Sequence, residues 1–260
     1  MTRKPFEARP IILALLASCA SSPAASTQPR APVVSTETVR EGATESEAAG
    51  MRALAVPGFL PAVLMVPSGV DPRPWVVAAH GAGGTPEVEC DYWAQLTLRR
   101  AFVLCLRGTR INPQAGFYFR DHHALDAELT AAIAAARSSF PRIAKGSGLY
   151  AGFSQGATMG SLIIDKHADE LPYATLIEGF QPWSTALGRA FARRGGKAVL
   201  FACGSRACAQ VADSSKRALE RVGVRVRAVH APGAGHTSSG EVEALVVANL
   251  PWLWPDSPDP

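Results

Sequence analysis

Seven apolar runs of strand length recur along the chain, and segments of helical character separate them. They are Ala62–Val66 (AVLMV), Trp75–His80 (WVVAAH), Ala101–Leu106 (AFVLCL), Gly148–Phe153 (GLYAGF), Ala174–Phe180 (ATLIEGF), Lys197–Gly204 (KAVLFACG) and Val224–Ala231 (VRVRAVHA). Most are continuously apolar rather than alternating, as strands covered on both faces must be. Residues 121–140 are Ala-rich with apolar positions at helical spacing, and 155–168 form a second helical stretch. Residues 208–223 end in glycine, a common helix stop, and 239–253 close the chain's last helical pattern. Alternating strands and helices predict an α/β fold with a mostly parallel central sheet and helices on both faces. In such sheets ligands bind beyond the carboxyl ends of the strands, so the residues just after each run are where chemistry is sought.

The fourth run delivers a serine between two glycines, Gly152-Phe153-Ser154-Gln155-Gly156. Ser154 follows a predicted strand and opens a predicted helix, the setting of a nucleophile elbow. The turn is tight, and side chains at 152 and 156 would collide with neighbouring backbone. It lifts Ser154 Oγ above the sheet at a helix N-terminus, where the dipole favours developing negative charge. A glycine-rich turn with an idle serine is the competing reading.

A weak alcohol nucleophile needs a base. After the last strand the sequence reads APGAGHTSSG, which places His236 in a glycine-rich loop ahead of the final helix. His122 and His123 begin a helix, His167 lies in a polar helical segment and His230 within a strand, so His236 is the base expected from position. An oxyanion needs N–H donors. The AAHGAGGTP turn, Ala78–Pro86, lets backbone approach a substrate, and its Ala82 or Gly81 N–H is expected to pair with that of Gln155. Its spacing matches neither G-x-G-x-x-G nor a P-loop, which argues against a phosphate cradle.

HGAGG at 80–84, GFSQGA at 152–157 and GAGH at 233–236, in that order, resemble the α/β-hydrolase superfamily. The nearest flavour is the phospholipase/carboxylesterase group that includes the acyl-protein thioesterases, and the likeness covers most of residues 58–255. The resemblance implies an α/β-hydrolase fold with Ser154 and His236 in catalytic roles and the backbone of Ala82 and Gln155 as the oxyanion hole. It implies hydrolysis of a small-molecule or lipid ester, or of a thioester, through an acyl-enzyme, with no metal and no organic cofactor. The gap between Phe180 and Lys197 leaves no room for a cap domain, so an open site is expected. Phe153, Phe180, Trp183 and the aromatic run at 117–119 are candidate linings, though such residues are more often core.

The chain departs from that group at the triad acid, which there follows the next-to-last strand as Gly-x-x-Asp. Here Gly204 is followed three residues on by Ala207, beside Cys208. Glu178 ends the apolar strand that follows the nucleophile helix, and some lipases of the superfamily carry their acid there. A carboxylate at such a place is costly unless hydrogen-bonded or wet. Glu178 is therefore the favoured acid, expected within roughly 2.6–3.2 Å of His236 Nδ1. Asp213, Asp121, Asp126 or no acid at all are the alternatives. The departure also leaves open a non-catalytic relative that binds an envelope ligand, and a serine peptidase is a further enzymatic alternative.

The N-terminus, MTRKPFEARPIILALLASC, sets a basic segment before an apolar run at 11–17 that is too short to span a bilayer but suits a signal peptide. Its end, Leu16-Ala17-Ser18-Cys19, resembles the bacterial lipoprotein cleavage box, in which Cys19 receives lipid and anchors the chain to the membrane. An ordinary secretory signal is the alternative, and both place the protein outside the cytoplasm, in the cell envelope or secreted. This divides the chain into a signal at 1–18, a Ser/Ala/Thr/Pro/Glu-rich tether at 19–50 and a hydrolase domain at 51–260. With Cys19 set aside, four cysteines remain in an oxidising compartment and predict two disulfides. Three pairings are possible. A short loop closure favours Cys203–Cys208, and so Cys90–Cys105. No second close Cys or His pair at ligand spacing supports a metal site. The net charge of +4 falls to +2 without residues 1–18, which hold Arg3, Lys4 and Arg9 against Glu7. No basic run carries interleaved aromatics, so nucleic acid is not an expected partner.

Overall fold

The structure, a computed structural model, describes residues 49–112 and 114–257. The signal segment, Cys19 and nearly all of the expected tether lie outside the described residues. Eight strands form one sheet: β1 (Gly50–Leu54), β2 (Ala62–Val66), β3 (Arg73–Ala79), β4 (Phe102–Cys105), β5 (Ile143–Phe153), β6 (Tyr173–Ile177), β7 (Ala198–Cys203) and β8 (Arg225–His230). Six helices accompany them: α1 (Pro86–Leu96), α2 (His122–Ser139), α3 (Gln155–Gly160), α4 (Thr185–Arg193), α5 (Arg206–Glu220) and α6 (Glu241–Leu253). The strand order is β1-β2-β4-β3-β5-β6-β7-β8, antiparallel at β1/β2 and β2/β4 and parallel from β4 onward.

Strand alternation sorts the core into two layers. On β3, Trp75, Val77 and Ala79 face one layer with Leu129 of α2, Ala157 of α3, Phe191 of α4 and Leu219 of α5. Val76 and Ala78 face the other, with Trp93 of α1 and Val242 and Val246 of α6. Both faces are therefore dry, which explains the uninterrupted apolar runs. Each such buried aliphatic or aromatic side chain stabilises the fold by about 1.5–3 kcal/mol. Helix starts follow local chemistry. Asp121 caps α2 by accepting from Ala124 N–H at 2.8 Å, and Ser184 caps α4 by accepting from Leu187 N–H at 3.1 Å.

Several features differ from the sequence reading, among them helix α1, which lies in no predicted helical stretch. The helix expected over 155–168 stops at Gly160, and a 3-10 turn follows at Ile164–Lys166. Gly160 lies against the Tyr150 ring, and Ser161 Oγ donates to Thr158 O at 2.7 Å while accepting from Gln181 N–H at 2.9 Å. These bonds turn the chain out of the helix. Strand β1 precedes the first predicted run. The Phe180–Lys197 gap carries no cap, as expected, but holds a crossover helix the sequence reading did not place, α4, which packs Phe191 into the core.

Candidate active site

The elbow forms where β5 meets α3. Ser154 has φ 50° and ψ −111°, a left-handed backbone that a non-glycine residue adopts only under local constraint. Its N–H donates to Ile177 O at 2.9 Å, and the N–H of Gly156 donates to His80 O at 3.1 Å. A Cβ at Gly156 would fall 2.0 Å from Ala79 O, and one at Gly152 would fall 2.7 Å from Ala157 N. The two glycines thus allow the close crossing of β3, β5 and α3 that holds the serine up.

Ser154 Oγ lies 2.7 Å from His236 Nε2, and His236 Nδ1 lies 3.3 Å from Glu178 Oε2, a charge-pair distance just beyond the expected range. A carboxylate only accepts, so a proton on Nδ1 satisfies this pair and leaves Nε2 free to accept from the serine hydroxyl. The His236 side chain is 57% exposed while that of Glu178 is 1% exposed. His236 therefore faces solvent at an open site, and Glu178 sits beneath it.

Glu178 directly follows β6 with φ 51°, its N–H donating to Ala202 O at 3.0 Å. Its Oε1 accepts from the N–H of Gly204 in a short hydrogen bond and from that of Ser205 at 2.7 Å. The turn after β7, which lacks the expected aspartate, thus contributes backbone donors that hold a carboxylate delivered by β6. The other candidate acids lie elsewhere. Asp121 caps α2, Asp126 bonds His167 Nε2 and Lys166 Nζ at 2.6 Å each, and Asp213 is exposed on α5.

The loop after β3 runs beside Ser154, since a Cβ on Gly81 would lie 3.1 Å from Ser154 Cβ. Gly83 N–H donates to Phe117 O at 2.8 Å and Gly84 N–H to Gly81 O at 3.0 Å. These bonds set the path of the turn that carries Ala82. The His80 ring spans the carbonyls of Gly81 at 2.7 Å and Arg107 at 3.0 Å. Gln155, first residue of α3, has an N–H with no preceding helical turn to bond.

Several supporting groups were not foreseen from sequence. The Gln155 side chain accepts from Phe119 N–H at 2.8 Å, joining the elbow to the 117–119 segment. Tyr92 of α1 donates its hydroxyl to Ser238 O at 2.9 Å and tethers the His236 loop. Neither contact has a local signature, because each depends on how distant elements pack. Of the candidate aromatics, Phe153 lies 5.4 Å ring to ring from His236, and Phe180 borders a cavity of about 320 Å³ with Thr158, Gly179, Ala207 and His236. Trp183, Phe117 and Phe119 are buried.

Disulfides join Cys90 to Cys105 and Cys203 to Cys208, the favoured pairing. Glu178, Cys203 and Cys208 bring ligand-type atoms within 4.8 Å of one another, but both sulfurs are already bonded and offer no thiolate to a metal. Two disulfides fit an oxidising compartment. Among the described residues, no helix is long and apolar enough to cross a membrane.

No family model and no curated sequence relative matches the chain. Solved structures do. A dienelactone-hydrolase-like promiscuous phosphotriesterase from metagenomic libraries is similar at TM-score 0.62 and 14% identity, over 80% of this chain and all (100%) of that one. The fluorophosphonate-binding serine hydrolase FphF of Staphylococcus aureus is similar at TM-score 0.57 and 13% identity, over 79% of this chain and 98% of that one. A carboxylesterase from Bacillus cereus is similar at TM-score 0.53 and 21% identity, over 73% of this chain and 92% of that one. The chain has the mostly parallel, helix-covered sheet of the α/β-hydrolase fold.

Proposed function

We propose that this chain is a serine hydrolase that cleaves a carboxylic ester or thioester through an acyl-enzyme. The observation that carries the reading is the run of contacts from Ser154 Oγ through His236 to Glu178, at 2.7 and 3.3 Å, at the carboxyl ends of β5, β6 and β8. Ser154 attacks the substrate carbonyl while His236 Nε2 takes its proton. Glu178 holds the imidazole tautomer and stabilises the imidazolium. The N–H groups of Ala82 and Gln155 receive the oxyanion. His236 then returns the proton to the leaving group, and a water activated by the same imidazole releases the acid. The open site and its aromatic edge suit a small-molecule or lipid ester.

We place the enzyme in the bacterial cell envelope, attached by lipid on Cys19. The disulfides and the sequence of the first 19 residues support that location. Globomycin-sensitive processing and an acylated N-terminal Cys19 peptide are the expected results; a mature N-terminus at Ala20 or later contradicts the anchor.

A fluorophosphonate probe tests the catalytic reading. Labelling mapped to the peptide containing Ser154, together with turnover of p-nitrophenyl esters of graded chain length, is expected. Absence of both would sink it.

A further inference from the structure

The corner between β7 and α5 holds more of the site than the acid alone. Ala202 O accepts from Glu178 N–H at 3.0 Å, and Gly204 and Ser205 N–H grip Glu178 Oε1. Cys203 O accepts from Ala231 N–H at 2.8 Å and Gly204 O from Gly235 N–H at 3.2 Å, so the loop bearing His236 hangs from the same residues. A Cβ at Gly204 would lie 2.4 Å from Gly235 O, which shows how closely the two loops approach. The Cys203–Cys208 bridge closes this corner, tying the buried end of β7 to the first turn of α5. Both sulfurs lie within 4.8 Å of a Glu178 carboxylate oxygen.

We infer that the Cys203–Cys208 disulfide is a positioning element for hydrolysis, fixing the corner from which both Glu178 and the His236 loop are suspended; the inference rests on the serine-hydrolase reading. Catalytic groups must be held within about 0.5 Å of their productive places, and amide donors in a free turn lose that register. The bridge encloses the two donors of Glu178, so opening it frees the peptide units that aim them. The other bridge has a different place. Cys90 and Cys105 are fully buried and join α1 to β4. Cys208 is only half-buried and borders the open cavity beside His236, within reach of a small dithiol. Attack by one thiolate of the dithiol on Cys208 Sγ releases Cys203 as a thiol. The second thiol then resolves the mixed disulfide. The protein gains two thiols and the dithiol becomes a cyclic disulfide, a balanced two-electron exchange.

The test uses the purified full chain with p-nitrophenyl acetate. Removing the bridge as Cys203→Ala with Cys208→Ala should lower kcat about 10- to 100-fold with KM within a factor of two. The fold should persist by circular dichroism, because a bridge over so short a loop constrains the unfolded chain least. In a Glu178→Gln background the same removal should lower kcat by clearly less than in the wild type, since part of its effect passes through Glu178 and the rest through the His236 loop. If the double variant does not fold, reduction of Cys203–Cys208 alone, verified by peptide mapping of alkylated thiols, gives the same comparison. Unchanged kcat without the bridge, or equal losses in both backgrounds, would overturn the inference while leaving the hydrolase reading intact. Absence of all wild-type turnover and probe labelling would remove that reading instead. In that case the downfield proton resonance of His236 Nδ1 decides the positioning claim: it should be lost when the bridge opens, and its persistence refutes the claim.

Discussion

The ends of β5 and β6 lie side by side, with Phe153 opposite Ile177, and each continues into a non-glycine residue in the left-handed region. They are secured in opposite ways. Ser154 sits in a turn shaped by its own neighbours, Gly152 and Gly156, with Ile177 O and His80 O at the ends of the flanking strands accepting from the turn's N–H groups. Glu178 is held from a distance, by Gly204 and Ser205 on the next strand's turn and by His236 beyond the strand after that. The Ser154 turn is therefore written mostly in local sequence, whereas the seat of Glu178 is set by topology. Because β6 lies between β5 and β7, a carboxylate at its end can meet the amides of the β7 turn even though that turn carries no acid at the 207 position.

The largest effect should come from the local side of this comparison. Ser154→Ala is expected to lower kcat by about 10⁴–10⁶ with the melting temperature nearly unchanged, measured by ester turnover and thermal unfolding. On the topological side, Gly204→Ala places a methyl against the Gly235 carbonyl and should displace the His236 loop, with kcat falling about tenfold. Steady-state kinetics on a short-chain ester check this.

A second glutamate sharpens the contrast. The Glu89 carboxylate on α1 accepts the Trp93 indole N–H at 3.1 Å, and burial raises its pKa to about 7 from 4.5. The unfolded chain then ionises first, so stability falls as pH rises from about 4.5 to about 7 and levels off above. Glu89→Gln should match the wild type near pH 4 and melt a few degrees higher at pH 8, a gain on the order of 2 kcal/mol. A pH series of melting curves reads it. The smallest effect is expected at Asp213, exposed on α5: Asp213→Asn should leave kcat within about twofold.

The same division explains what the sequence makes legible. Strands β2 to β7 announce themselves because both faces are covered, β8 by its alternating valines although Arg225, Arg227 and His230 are exposed, and the elbow and His236 because glycine-bounded loops follow two of those strands. Glu178 stands out only as a charge at an apolar strand's end. Nothing nearby tells that Gly204 and Ser205 will meet it. Strand β1 is hidden because this edge strand carries alternating exposure and an exposed Met51. The paired segments Thr109–Arg110 and Phe117–Tyr118 are too short to show a period and depend on Gly116 abutting the Gly83–Gly84 backbone. The early end of α3 is equally non-local, since Gln181 N–H captures Ser161 Oγ from beyond β6. The bridges were legible as a count and a short loop, but not their purpose, because only the fold brings Cys203 and Cys208 beside Glu178.

The most direct test of the account is the kcat of Glu178→Gln. The amide keeps the shape and an acceptor toward Gly204 and Ser205, but it removes the negative charge facing His236. The account predicts a loss of about 10²–10⁴ in kcat on p-nitrophenyl esters, with KM little changed and the melting temperature within a few degrees of wild type. A variant that keeps kcat within twofold of wild type would contradict it, and the acid, if any, would have to be sought elsewhere.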